Sequence, residues 1–327
     1  MTAVAEDLTG AGQPAPPPGR PAAAPAPATV AVIGTGAIGQ DLVSKVHRST
    51  GLACALVAGR NPASAGLAHA ARLGYPTTAD GIDAVLGAPR PYDIVFDATN
   101  AMSHLEHWRR LQPLGTLVID MTPSKAGQMV VPTVTGTQAP TERNVNLISC
   151  GGQASVPVAH ALAGRFDTAY IEVVSTVASS IAGRATRLNL DEYVATTQAA
   201  LTAFTGVSAT KAILNISPAV PPATFRTAVH AVVPGAGERA REVRAVVDEA
   251  AGRVRAFAPG YEVTACTVTG DRIAVSLEVT ADSDVLPRYA GNLDIINSAA
   301  ILVAEQHAAR LAGAAAAGSA TRTEAGR

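Results

Sequence analysis

Cysteine is scarce in this chain: Cys54, Cys150 and Cys266 are the only three, spread far apart among 327 residues. An odd, scattered set gives no disulfide framework and suits a reducing compartment, so a cytoplasmic location is expected. No group of His and Cys has zinc-ligand spacing, and no metal is expected. Charge of one sign is lacking too. Charged residues make up 16% of the chain and sum to −1, which offers no footprint for nucleic acid and no basic membrane surface. No apolar run is long enough to span a bilayer. Aromatics are only 4%, so Ala, Val, Leu and Ile must fill the interior. The N-terminus has neither the basic start nor the apolar core of a secretory signal. Residues 1–28 are rich in Ala and Pro with little to bury and are expected to form a disordered tail, as is the low-complexity stretch 313–327.

What is present suits a buried α/β protein: 48% of residues are apolar, and the length allows two domains with separate cores. Thr29–Ile33 (TVAVI) is a short β-branched run suited to a buried parallel strand. Leu52–Ala58, Asp93–Asp97, Thr116–Asp120 and Val145–Ser149 read the same way, with helices between them over Ser64–Leu73 and Ser103–Leu111. This alternation predicts a doubly wound parallel sheet of Rossmann type across residues 29–149. Beyond it the pattern changes. Strands are expected over Thr168–Val177, Lys211–Ser217 and Thr224–Val233, and a hairpin over Val263–Val279 turning at Gly270-Asp271. With helices over Leu190–Phe204 and Arg239–Phe257, residues 150–290 read as an α+β domain with a mostly antiparallel sheet. A long helix over Asn292–Leu311 is expected to return to the first domain, which residues 291–312 complete.

Two features carry chemistry. The first is Gly34-Thr35-Gly36-Ala37-Ile38-Gly39, set between a strand and a helix near the start of the folded region. Such glycines allow a tight turn and bring backbone N–H groups at a helix start close to a pyrophosphate. A bare GxGxxG is weak, but this context favours dinucleotide binding over an ordinary turn. The second strand ends in Gly59-Arg60-Asn61 rather than in the Asp or Glu that commonly meets the ribose hydroxyls of NAD. Arg60 therefore leaves NADP open beside the favoured NAD.

The second feature is Ser149-Cys150-Gly151-Gly152, between a strand and an apolar helix. A thiol at a helix start faces unpaired N–H groups, which favour thiolate and are placed to hold an oxyanion. Attack on an aldehyde followed by hydride loss would leave a thioester. A buried structural cysteine is the plainer reading of a lone Cys. The glycines and the dinucleotide turn weigh against it here, whereas Cys54 and Cys266, inside apolar strands, read as structural.

Seven segments carry a resemblance to a family. They are GTGAIGQDL (34–42), NPASAGLAHAARLG (61–74), DIVFDATNAMSH (93–104), VIDMTPSKAGQMVVP (118–132), NLISCGGQASVPVAHAL (146–162), AGRATRLNLDEY (182–193) and LPRYAGNLDIINSAA (286–300). The chain resembles, over about Val30 to Leu311, the acylating acetaldehyde dehydrogenases that partner 4-hydroxy-2-oxovalerate aldolases in meta-cleavage pathways of aromatic catabolism. The resemblance implies oxidation of a short aldehyde with NAD⁺ and coenzyme A to acyl-CoA. It implies a catalytic and dimerisation domain of the glyceraldehyde-3-phosphate dehydrogenase-like type, a homodimer, and pairing with the aldolase. Carried onto this sequence, it makes Cys150 the thioester nucleophile. Thr35 to Ile38 become the phosphate turn. Ile181, Ala182, Gly183, Arg184, Ala185, Thr186, Arg187, Leu188, Asn189 and Asn292 become cofactor contacts. Asn292 also has a plain reading as a helix N-cap.

One departure bears on mechanism. Where the family pattern after Pro-Pro has an Asp that assists the cysteine, this chain has Arg226-Thr227-Ala228-Val229. Threonine takes no proton at neutral pH. His230 is nearby, but on a strand positions 227 and 230 face opposite sides, and a surface His is the preferred reading. His104, His107 and His160 are poorer candidates, and the base stays unassigned. Three alternatives stay open. They are a homologue acting on another aldehyde and acyl-CoA pair, a phosphorylating enzyme of the same plan, and an impaired NAD-binding partner subunit.

Overall fold

The computed structural model describes residues 26–136, 142–183 and 187–324. Its first half alternates strands and helices: β1 Ala28–Ile33, α1 Ala37–Arg48, β2 Leu52–Ala58, α2 Ala65–Arg72, β3 Thr77–Thr78, α3 Ile82–Leu86, β4 Ile94–Asp97 and α4 Ala101–Leu111, then β5 Leu117–Asp120, β6 Gln128–Met129, α5 Pro132–Thr135 and β7 Asn144–Asn146. The strands join in the order β3-β2-β1-β4-β5-β7-β6, and every pairing is parallel. This is the Rossmann-type sheet expected, with the strand order reversing at β1 and β4. Ligands of such sheets bind beyond the carboxyl ends of the strands at that reversal. The central strands are apolar on both faces because helices cover both; Val30, Val32, Ile94, Phe96, Leu117 and Ile119 are fully buried. Ser64 starts α2 by accepting from the Leu67 N–H, and Asn100 starts α4 by accepting from that of Ser103.

The second half holds α6 Cys150–Arg165, β8 Tyr170–Ala178, α7 Leu190–Thr205, β9 Thr210–Ser217, β10 Phe225–Val232, α8 Ala240–Arg255, β11 Tyr261–Thr269, β12 Arg272–Val279 and α9 Gly291–Glu324. Its sheet runs β11-β12-β10-β8-β9, antiparallel except where β8 meets β9. One face packs on α6, α7 and α8. Strand β10 shows the alternation: Phe225, Thr227 and Val229 point inward, while Arg226 and His230 are exposed. The surface reading of His230 therefore holds.

Two expectations are corrected, and two strands are added. Strand β7 stops at Asn146, short of Ser149, because Ile148 takes a left-handed conformation (φ 62°) and Ser149 caps the next helix. The short edge strands β3 and β6 are too brief to show in a sequence pattern. Helix α9 continues to Glu324, beyond the expected end at Leu311, since its Ala-rich extension has high helix propensity. Ile296, Ala300, Val303, Ala304 and Ala308 of α9 join the core of the first sheet. Among the described residues, no helix is long and apolar enough to cross a membrane, and no group of His, Cys, Asp or Glu is arranged to hold a metal.

Candidate active site

The chain changes direction sharply before its key cysteine. Asn146 Oδ1 accepts the Ile148 N–H at 2.8 Å, and the left-handed Ile148 then aims the chain into α6. A β-branched residue at positive φ is costly and is held there by its surroundings. Ser149 caps the helix: its Oγ accepts from the Gly152 N–H at 2.9 Å and shares a hydrogen bond with Thr197 at 2.7 Å. Cys150 is thus the first residue of α6. It packs against the cores of both sheets and opens onto a narrow cleft where they meet.

That cleft offers about 90 Å³ to a water-sized molecule, and its wall is mostly apolar. The reversal point of the parallel sheet supplies Ala98 and Thr99 after β4, and Met121, Thr122 and Pro123 after β5. Ile38 comes from α1, Asn189 and Tyr193 from the start of α7, and Asn292, Leu293 and Ile296 from α9. The structure therefore brings together Cys150, Ile38, Asn189 and Asn292, four residues singled out from sequence far apart. Ile181 and Ile38 both pack against the small core that holds Leu293. Arg187 ties its own loop, donating to the Ala182 carbonyl at 3.0 Å and to Ser179 Oγ at 3.1 Å, and Leu188 is exposed. Arg184, Ala185 and Thr186 lie outside the described residues.

Two observations test the fit of a nicotinamide dinucleotide. At the turn, a Cβ on Gly34 would overlap the Ala98 carbonyl, and one on Gly39 would overlap that of Gly34, so both positions require glycine. Gly36 faces open space and starts α1 without a side-chain cap, leaving the first amides of the helix free for an anion. In the cleft, the buried Asn292 Oδ1 has no hydrogen-bond partner among the described residues. It therefore does not cap α9, which already begins at Gly291, and it is available to an amide donor such as a carboxamide. Arg60 is exposed at the end of β2.

The thiol itself departs from expectation. Burial pushes Cys150 up to about 11, outweighing Tyr193, the Gly151 and Cys150 amides and Asn292, which all favour the thiolate. The helix-start amides act in the expected direction, but enclosure by two cores costs more. Alkylation of Cys150 in the cofactor-free protein should therefore climb about tenfold per pH unit from about pH 7 to 9. Iodoacetamide labelling followed peptide by peptide measures this, and a plateau below about pH 8 would contradict it.

A family model described as the prokaryotic acetaldehyde dehydrogenase dimerisation domain matches residues 150–287. An acetaldehyde dehydrogenase of Streptomyces griseus is 72% identical over 283 residues, covering 86% of this chain and 91% of its own. The chain belongs to the acetaldehyde dehydrogenase family. Relatives of the same name from Pectobacterium atrosepticum (46% over 280 residues, 84% and 94% of the two chains) and Spirochaeta aurantia (43% over 284, 86% and 95%) agree.

Sequence reasoning missed two parts of this family member's site. One is Tyr193, whose hydroxyl lies against Cys150; its only signal was the polar DEY opening an amphipathic helix. The other supports the cleft wall from behind. His104, passed over as a helix residue, is fully buried with Nδ1 3.0 Å from Asp97 and Nε2 3.5 Å from Asp120. Asp97 also meets His107 at 2.8 Å and the Thr99 hydroxyl at 2.5 Å. Asp120 accepts from the Thr122 N–H at 2.7 Å, Ser124 at 2.5 Å and Asn146 at 2.7 Å. Burial alone would raise the Asp97 carboxyl, but His104 and His107 hold it well below the usual range. Burial pushes Asp120 up to about 6 despite the His104 charge. His104 is itself raised, since its two carboxylate neighbours outweigh burial.

Proposed function

We propose that this chain oxidises acetaldehyde with NAD⁺ and coenzyme A to acetyl-CoA at the cleft around Cys150. The observation that carries the reading is the placement of Cys150 at a helix start, opening onto a narrow cleft at the reversal point of the parallel sheet. The Cys150 thiol adds across the aldehyde carbonyl, forming a C–S bond while the proton goes to oxygen. The amides of Cys150 and Gly151, which already favour charge on the sulfur, are donors available to charge developing in the adduct. Loss of hydride from carbon and of the hydroxyl proton to water leaves a thioester on Cys150; bound NAD⁺ is the hydride acceptor. The coenzyme A sulfur then displaces the Cys150 sulfur, which takes back a proton. The turn from Gly34 to Gly39 holds the pyrophosphate, and Asn292 and the segment from Ile181 to Asn189 hold the nicotinamide end.

The phosphorylating alternative is disfavoured by the cleft's chemistry. No Lys or Arg lines it among the described residues. Gln153 donates to the Val130 and Leu147 carbonyls and Ser155 to that of Gly151, so neither is free for phosphate. An impaired subunit would not need the donors that Cys150 keeps. Mixing the protein with acetaldehyde and NAD⁺ should give NADH absorbance that continues only with coenzyme A, and phosphate in its place should not sustain it. Turnover with phosphate, or none with either, would overturn the reading. Association into a homodimer through the second sheet, and delivery of aldehyde by a 4-hydroxy-2-oxovalerate aldolase, belong to the same proposal; size measurement and co-purification with the aldolase test them.

A further inference from the structure

The position where the family pattern has a carboxylate is filled here by hydroxyls. Thr227 is buried and shares a 3.0 Å hydrogen bond with Ser175 on the neighbouring strand β8. Ser175 and Tyr193 in turn occupy the space beside Gly151: a Cβ there would overlap the Tyr193 hydroxyl and crowd Ser175 Oγ. Glycine at 151 thus makes room for a phenol directly behind the nucleophile. Tyr193 lines the cleft, and its buried hydroxyl has no hydrogen-bond partner of ordinary geometry among the described residues. A buried, unsatisfied hydroxyl is costly and is often kept where a reaction supplies its partner. Among the described residues, the reacting group beside it is the Cys150 sulfur.

We propose, resting on the thioester reading above, that Tyr193 is a catalytic residue whose phenol O–H donates to the Cys150 sulfur as charge develops there, with Ser175 and Thr227 orienting it from behind. The direction of donation is set by chemistry. The Gly151 amide and the Ser175 hydroxyl favour charge on the Tyr193 oxygen, but burial and the adjacent Cys150 outweigh them and hold the phenol protonated far above its ordinary value. A group so held is a donor and not a base. Neutral hydroxyls here stabilise the sulfur without placing a second negative charge beside it.

The test compares wild type with Tyr193→Phe, Ser175→Ala and Thr227→Val by the pH profile of Cys150 alkylation, read on the Cys150 peptide. Tyr193→Phe should slow labelling at about pH 8 by roughly tenfold. Its kcat should fall by a similar factor while NAD⁺ affinity is unchanged, and Ser175→Ala and Thr227→Val should give smaller losses in that order. A merely structural tyrosine would not move the profile, so labelling within about twofold of wild type in Tyr193→Phe overturns the proposal. If that variant does not bind NAD⁺ as a folded protein, Ser175→Ala decides: slower labelling supports the proposal and an unchanged profile overturns it. Labelling needs no turnover, so absence of acetyl-CoA production by wild type would sink the functional reading separately.

Discussion

Cys150→Ser should reduce acetyl-CoA formation by about a thousandfold or more while leaving NAD⁺ affinity near wild type. The asymmetry follows from placement. On the proposed reading the sulfur meets the aldehyde carbon, whereas the pyrophosphate is held at the turn from Gly34 to Gly39, which does not touch the thiol; Asn292, which does touch it, is kept in place by α9. Serine is close to cysteine in size, so Gly151, Tyr193 and Ser149 can keep their positions around it. A serine hydroxyl is a far poorer nucleophile at neutral pH, and no base stands beside it: Thr227 cannot accept a proton and His230 faces outward. Steady-state assays with titration of NAD⁺ binding by fluorescence check both halves. Retained turnover would remove the covalent route, and lost cofactor affinity would mean that residue 150 shapes the dinucleotide site.

The second large effect is structural. His104→Ala should destabilise the protein by about 3–5 kcal/mol, the usual cost of removing one partner from a buried ion pair. Its imidazole separates Asp97 and Asp120, all three being fully buried. Without it, Asp97 keeps only the His107 imidazole and Asp120 loses its imidazole neighbour, at the ends of β4 and β5. The residues that follow them, Ala98, Thr99, Met121, Thr122 and Pro123, form a wall of the cleft, so activity should fall with stability. The raised imidazole contributes fully below its ordinary 6.5. It loses that contribution as pH rises through its folded-state value, so the gap between wild type and variant should narrow in alkaline solution. Replacing the trio together, as His104→Leu with Asp97→Asn and Asp120→Asn, should cost far less, because no buried charge is then left unpaired. Urea unfolding of the three proteins across pH measures this. A His104→Ala midpoint equal to wild type would contradict it.

Local chemistry made the first sheet legible from sequence. Short β-branched runs between capped helices fix parallel strands, and Gly34 and Gly39 leave no room for another residue. Cys150 was legible for the same reason: a turn, a cap and two glycines are consecutive. What escaped was set by long-range contact. Tyr193 reaches Cys150 across a separation no periodicity records, and Thr227 backs the Ser175 beside it only because β8 and β10 pair in one register. Asp97, His104 and Asp120 sit on a strand, a helix and another strand, so their convergence follows from the strand order. The raised thiol was also out of reach, because helix-start amides are visible in sequence and enclosure by two cores is not.

The most direct measurement of the central claim is to quench the protein after brief mixing with acetaldehyde and NAD⁺, without coenzyme A, and map the acyl group by peptide mass spectrometry. An acetyl group on the Cys150 peptide, discharged when coenzyme A is added, is the predicted result. Steady production of acetyl-CoA with Cys150 never acylated, or an acyl group carried by Cys54 or Cys266 instead, would contradict it.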